Sequence, residues 1–179
     1  MAEAVSGISD WRSQARILAL QALCVFDALG EPLPEAELDR FLSDPLTYAD
    51  LDWPPPSTAA QAGLLQRAHE LATGTWRNRQ RCDRLLSQNA RQWPLERMQP
   101  VDRNILRLGL YELLECPDTP YQVVLNEAIE LAHLFGSPES PAFVNGVLDG
   151  LRRDLTPAEV SPPDVGQVND LPPEQTTGH

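Results

Sequence analysis

Apolar residues along this chain recur three and four positions apart, the period of a helix face, and no segment alternates convincingly as a strand would. The densest stretch is Pro100 to Cys116. At 3.6 residues per turn, Val101, Ile105, Leu106, Leu108, Leu110 and Leu113 spread over more than half of its circumference. Arg103, Asn104 and Arg107 are left as a narrow polar strip. A surface helix carries an apolar stripe of roughly 100°, so this one is expected to be central and wrapped by neighbours. Glu112 falls inside the apolar arc, where a carboxylate must find a partner because an isolated buried charge is too costly. Pro100 suits a first turn and Pro117 follows the last.

Taken in order, the remaining pattern predicts about seven helices in all and an all-α fold. Residues 1–8 read as disordered. Ser9 is the expected cap of a helix over Trp11–Leu29, with Asp10 in its first turn and Gly30 as its stop. Pro34–Leu42 reads as a short helix, and 43–57 as an acidic, Pro-rich loop around Pro54-Pro55-Pro56. Thr58 opens a further helix, which Gly74 is expected to interrupt, and Trp76–Gln92 reads as an arginine-rich one. After the central helix, Thr119 is the expected cap, Pro120 the first helical residue and Gln122 the closure of a capping box. That helix runs to Gly136. The last one carries Phe143, Val144, Val147, Leu148 and Leu151 at core spacing, with Gly146 and Gly150 four apart where a neighbouring backbone can approach. Residues 156–179 are acidic, Pro-rich and without aromatics, so they read as a disordered tail. The boundaries expected are 9–92 for an N-terminal subdomain and 93–155 for a C-terminal one.

Composition narrows the function. The 179 residues carry a net charge of −12, which argues against indiscriminate nucleic-acid binding. The charge is uneven: residues 64–107 hold nine of the fourteen cationic side chains against four acids, and every one of the fourteen is arginine. A local guanidinium patch therefore remains open. Arg12 and Arg16, four apart, share a face of the first helix; from spacing alone a solvated face explains them better than a ligand does. The same holds for Arg77, Arg81 and Arg84, with Asp83 beside them. Three dispersed cysteines and three dispersed histidines offer neither a disulfide framework nor metal-ligand spacing. No phosphate loop, nucleophile elbow or HExxH is present, so the reading is a non-enzyme without cofactor or metal. No apolar run nears the ~20 residues of a bilayer span and the first residues lack a signal's basic and apolar regions, so a cytoplasmic protein is expected.

Four segments together resemble one family. Ala15-Arg16-Ile17-Leu18-Ala19-Leu20-Gln21-Ala22-Leu23 is similar to the opening helix of the transcription antitermination NusB family. Trp93 with Arg97, then Val101 to Leu113, resembles its middle; Pro120 to Ala132 and Phe143-Val144-Asn145-Gly146-Val147-Leu148-Asp149 resemble its C-terminal half. The resemblance covers about residues 11–155. It implies an all-helical adaptor of two small bundles packed together, which pairs with the ribosomal small-subunit protein NusE, binds boxA RNA of nascent ribosomal RNA transcripts, and works in an RNA polymerase antitermination complex. It also implies an RNA face at Arg12, Arg16 and Phe143, and a partner face at Glu96, Asp102 and Tyr121. Acids there suit a basic ribosomal protein. An unpartnered face can self-associate, so a homodimer of the free protein is compatible with the sequence.

The chain also departs from the family pattern. Ser13 and Gln14 interrupt the basic run, and Pro141 and Ala142 stand where basic residues are common. Each lost phosphate contact removes about 0.7 from the salt slope of single-strand binding, so weak RNA binding by the chain alone is expected. The alternative is a protein-interaction module of the same fold with weak or no RNA binding. A NusB-like domain preceding a methyltransferase is disfavoured, because no glycine-rich loop or α/β pattern follows.

Overall fold

The computed structural model describes residues 10–48, 58–90 and 93–155. Its helices are α1 (Trp11–Leu29), α2 (Glu35–Ser43), α3 (Thr58–Arg77), α4 (Arg79–Asn89), α5 (Pro100–Glu115), α6 (Tyr121–Phe135) and α7 (Ser140–Asp154). Two 3₁₀ turns, Pro45–Tyr48 and Leu95–Arg97, lie between them, and no strand occurs among the described residues. The expected disorder of 1–8 and 156–179 falls outside the described residues, as does the loop from residue 49 onward.

Several element ends differ from expectation, each for a local reason. Asp10, not Ser9, caps α1: its extended backbone lets the carboxylate accept the Arg12 amide at 3.1 Å. Gly30 ends α1 in the left-handed region, φ 78°, and donates its amide to the Phe26 carbonyl at 2.8 Å. Gly74 does not interrupt α3, which continues to Arg77 and takes in Trp76. Its lack of a side chain serves packing instead, since a Cβ there would lie 2.2 Å from the Tyr111 hydroxyl. Pro120 precedes α6 as its cap position rather than entering it, and no side chain caps that end. Gly146 and Gly150 face nothing within 4 Å, so the close approach expected there occurs at Gly109, where Leu148 of α7 presses against α5.

Helix α5 is central, packing against α1, α3, α4, α6 and α7. One continuous apolar core joins Leu18, Leu23 and Phe26 of α1 to Leu71 of α3, Leu86 of α4, Ile105 and Leu110 of α5, and Leu148 of α7. Phe26 meets Trp76 edge to face at 5.7 Å, joining α1 to α3. The polar strip of α5 is covered too. Arg103 donates to Asp27 at 2.6 Å, and Arg107 donates to Asp27 at 2.9 Å and to both oxygens of Asp83 at 2.7 and 2.8 Å. Asn104 is fully buried and donates to Asp27 at 3.1 Å. The strip is thus an ionic seam binding α5 to α1 and α4, because helices on those sides bring carboxylates to meet it.

Candidate nucleic-acid interface

The two arginines of α1 part company in the structure. Arg12 is open, its side chain 62% exposed and its guanidinium 4.7 Å from the ring centre of Trp11. A guanidinium laid on an indole is pre-positioned; Asp10 Oδ1 lies 3.8 Å from its Nη1, an exposed ion pair that an incoming anion would have to displace. Arg16 turns inward and is 4% exposed. Its Nε and Nη2 donate to Glu112 Oε2 and Oε1 at 2.9 and 2.8 Å, a two-bond fork, and Glu127 lies 3.6 Å from Nη1. Here the carboxylate inside the apolar arc of α5 finds its partner. Burial alone would lower the Arg16 pKa, but the Glu112 bond and charge outweigh it and the net shift is upward. The structure thus places the Arg16 guanidinium against Glu112, at the floor of the groove that Arg12 overhangs, rather than in open solvent. The helical face shared with Arg12 curves from solvent into the contact with α5 and α6 within one turn.

Around Arg12 runs an open groove of about 690 Å³, walled by Trp11, Arg67, Cys116, Pro120 and Val123, with Asp10, Glu115, Asp118 and Glu127 also on its rim. Cations and acids alternate along it, so it is no uniformly basic channel. The arginine-rich α4 is likewise mixed. Arg79 stacks on Trp76 at 4.4 Å and Arg81 pairs with Glu115 at 2.7 Å, whereas Arg84, like Arg77 at the end of α3, is exposed.

Phe143 lies in the first turn of α7, half-buried, and Trp93 meets it edge to face at 5.7 Å. In the sequence Trp93 stands out only with Arg97 as part of the family resemblance, without a site role. The available signal was a tryptophan in a turn, immediately before a proline and outside any apolar face.

The three residues expected on a partner face do not come together. Glu96 and Asp102 stand at the N-terminal end of α5, where Arg103 reaches back to the Leu95 carbonyl at 3.0 Å. Tyr121 opens α6 just beyond the other end of α5, which at 1.5 Å per residue is about 20 Å away. Glu96 is exposed and lines a pocket of about 550 Å³ with Asp83, Arg84, Arg103 and Arg107. Asp102 is 7% exposed, and its Oδ1 is buried with no hydrogen-bond partner. Tyr121 is engaged within the chain: its hydroxyl donates to Asp149 at 3.1 Å and Arg152 covers its ring at 4.1 Å. Burial and the Asp149 contact raise the phenol's pKa.

Among the described residues no group of three or more His, Cys, Asp or Glu is arranged to hold a metal ion, and no helix is long and apolar enough to cross a membrane. The NusB family model matches residues 13–153. A transcription antitermination protein NusB of Desulfatibacillum aliphaticivorans is 42% identical over 144 residues, covering 80% of this chain and 91% of that protein. The solved structure of T. maritima NusB superposes with a TM-score of 0.62 at 31% identity, covering 83% of this chain and 95% of that one. A structure of antitermination factors NusB and NusE in complex with double-stranded RNA shares the fold, with a TM-score of 0.62 at 23% identity over 81% of this chain and 98% of that one. With a match that runs from within α1 almost to the end of α7, the chain belongs to the NusB family.

Proposed function

We propose that this chain is an RNA-binding transcription antitermination factor, acting by binding rather than by catalysis, that pairs with ribosomal protein NusE on boxA RNA of nascent ribosomal RNA transcripts. Family membership supports the class, and Asp102 carries the reading of a heterodimer. An acid in the first turn of α5 with one carboxylate oxygen buried and unpaired loses hydration without recompense. A basic partner would be steered to this end of α5 by exposed Glu96, with the Asp102 carboxylate just beneath the surface adding to the negative potential. Tyr121, at the far end of α5, acts as a second and separate contact. On the RNA side, Arg12 and Phe143 make the contacts, while Arg16 positions α1 through Glu112.

The test is binding to NusE and then to labelled boxA RNA. Asp102→Ala is expected to weaken NusE capture, with Tyr121→Ala smaller in effect because its hydroxyl and ring are already engaged. Arg12→Ala in the complex is expected to weaken RNA binding and to reduce the salt slope by about 0.7, one phosphate contact on a single strand. Unchanged affinities for both Asp102→Ala and Arg12→Ala would refute the assignment. The second reading, an interaction module with weak or no RNA binding, draws on the inward turn of Arg16, which leaves one open arginine of the α1 pair on a chain of net charge −12. Retention of NusE with no boxA RNA held at low salt would favour it.

A further inference from the structure

Trp93 is 59% exposed although it is one of four tryptophans in the chain and the other two described, Trp11 and Trp76, pack against the core. Leaving so large an apolar ring in water is unfavourable unless something covers it. Its place is nonetheless fixed. The Trp93 amide donates to the Ala90 carbonyl at 2.8 Å, Pro94 confines its backbone to the extended region, and Phe143 meets the indole at 65°. The indole is thus held like a shelf, with α7 supporting it from one side. One 3₁₀ turn further on, where the Arg97 amide donates to the Pro94 carbonyl at 2.9 Å, the Arg97 side chain is exposed and makes no ion pair among the described residues. Of the acids in these segments, Glu96 lines the pocket against Arg84 and Arg103, and Glu139 accepts a bond from Ser137 Oγ.

We propose that Trp93, braced by Phe143, is a stacking platform for one unpaired base of the bound RNA, with Arg97 beside it for the adjoining phosphate. This rests on the RNA-binding reading above. An aromatic ring next to a free guanidinium is what single-stranded nucleic acid requires, since every base offers a π-face and every link a negative charge. A basic partner would be drawn to Glu96, which lines the pocket with Arg84 and Arg103, rather than to Arg97, whose charge it shares.

The experiment uses the full chain with NusE and a single-stranded boxA RNA, together with copies of that RNA each carrying one abasic nucleotide. Trp93→Ala is expected to weaken binding on the order of tenfold, the loss of one base–aromatic stack, while Trp93→Phe keeps most of the affinity and NusE capture is unchanged. Against one abasic copy the Trp93→Ala penalty should vanish, because the stacked base is already missing. The inference is overturned if Trp93→Ala changes RNA affinity by less than about twofold, if its penalty is equal on every abasic copy, or if it weakens NusE capture instead. A wild-type complex that binds no boxA RNA would overturn the function reading and this inference together; the other failures overturn this inference alone.

Discussion

The strongest consequence of the inward turn of Arg16 is energetic. The Arg16 and Glu112 side chains are 5% and 2% exposed, and two bonds of 2.8 and 2.9 Å join them. Replacing Arg16 by Met fills similar volume but leaves Glu112 with Arg67 alone, 3.6 Å away and itself part-exposed. Removing one partner of a buried pair costs about 3–5 kcal/mol. A domain of this size has roughly 5–15 kcal/mol in total, so Arg16→Met should consume a large fraction of it and lower the melting temperature by about 6–20 °C. Replacing both, Arg16→Met with Glu112→Leu, removes both charges together and should recover most of the loss, since buried pairs exchanged for apolar residues are often neutral. Arg16→Lys separates the structural role from an RNA role. Lysine keeps the charge but cannot make the fork, so one charged bond, about 1.5–3 kcal/mol, is lost while RNA affinity of the folded complex is unchanged. Urea unfolding followed by circular dichroism, with RNA titration of the same variants, measures both. A fully stable Arg16→Met that has lost RNA affinity would refute the reasoning.

Further outcomes follow from the same packing. Burial alone would raise the Asp27 carboxyl, but donors from Arg103 and Arg107 outweigh it and hold it below the usual carboxylate range. That stabilisation is therefore complete above the unfolded value of about 3.9 and is lost as pH falls through the lower folded value; in acid titrations of stability, Asp27→Asn should flatten the decline below about pH 4. Gly74→Ala drives a methyl into Tyr111, with 2.2 Å to its hydroxyl and 2.4 Å to Cζ. It should cost about 1–3 kcal/mol in urea, and less when Tyr111→Leu is introduced with it. Burial pushes the Cys82 thiol up to about 12, so alkylation at pH 8 should leave Cys82 unmodified in the native protein and label it only on unfolding.

Much of the fold was legible because it is written in local signals. Gly30, Pro100, Pro117 and Gly136 mark ends, and the apolar arc of α5 announced a wrapped helix with a carboxylate in need of a partner. What the pattern could not give is which residue answers that need. Arg16 and Glu112 lie 96 positions apart, and the spacing of Arg12 and Arg16 fixes a shared direction along α1 without saying where solvent ends. The polar strip of α5 was visible, but its partners were not: Asp27 and Asp83, which meet Arg103 and Arg107, lie 76 and 24 positions away. Small residues behaved alike. Gly146 and Gly150 have the spacing of a crossing but face open space, whereas Gly74 and Gly109 sit at real crossings that only the tertiary arrangement reveals. For Glu96, Asp102 and Tyr121, the family pattern carries no information about which side chains are open: Asp102 is buried and Tyr121 is held by Asp149 and Arg152.

The claim on which the rest depends is that this chain works on RNA as half of a pair. It is tested most directly by titrating labelled boxA RNA with the chain alone and with the chain saturated by NusE, at the same salt concentration. Weak binding by the chain alone is expected, and clearly tighter binding by the pair than by either protein separately. Equal affinity with and without NusE, or binding by NusE that this chain does not improve, would contradict it.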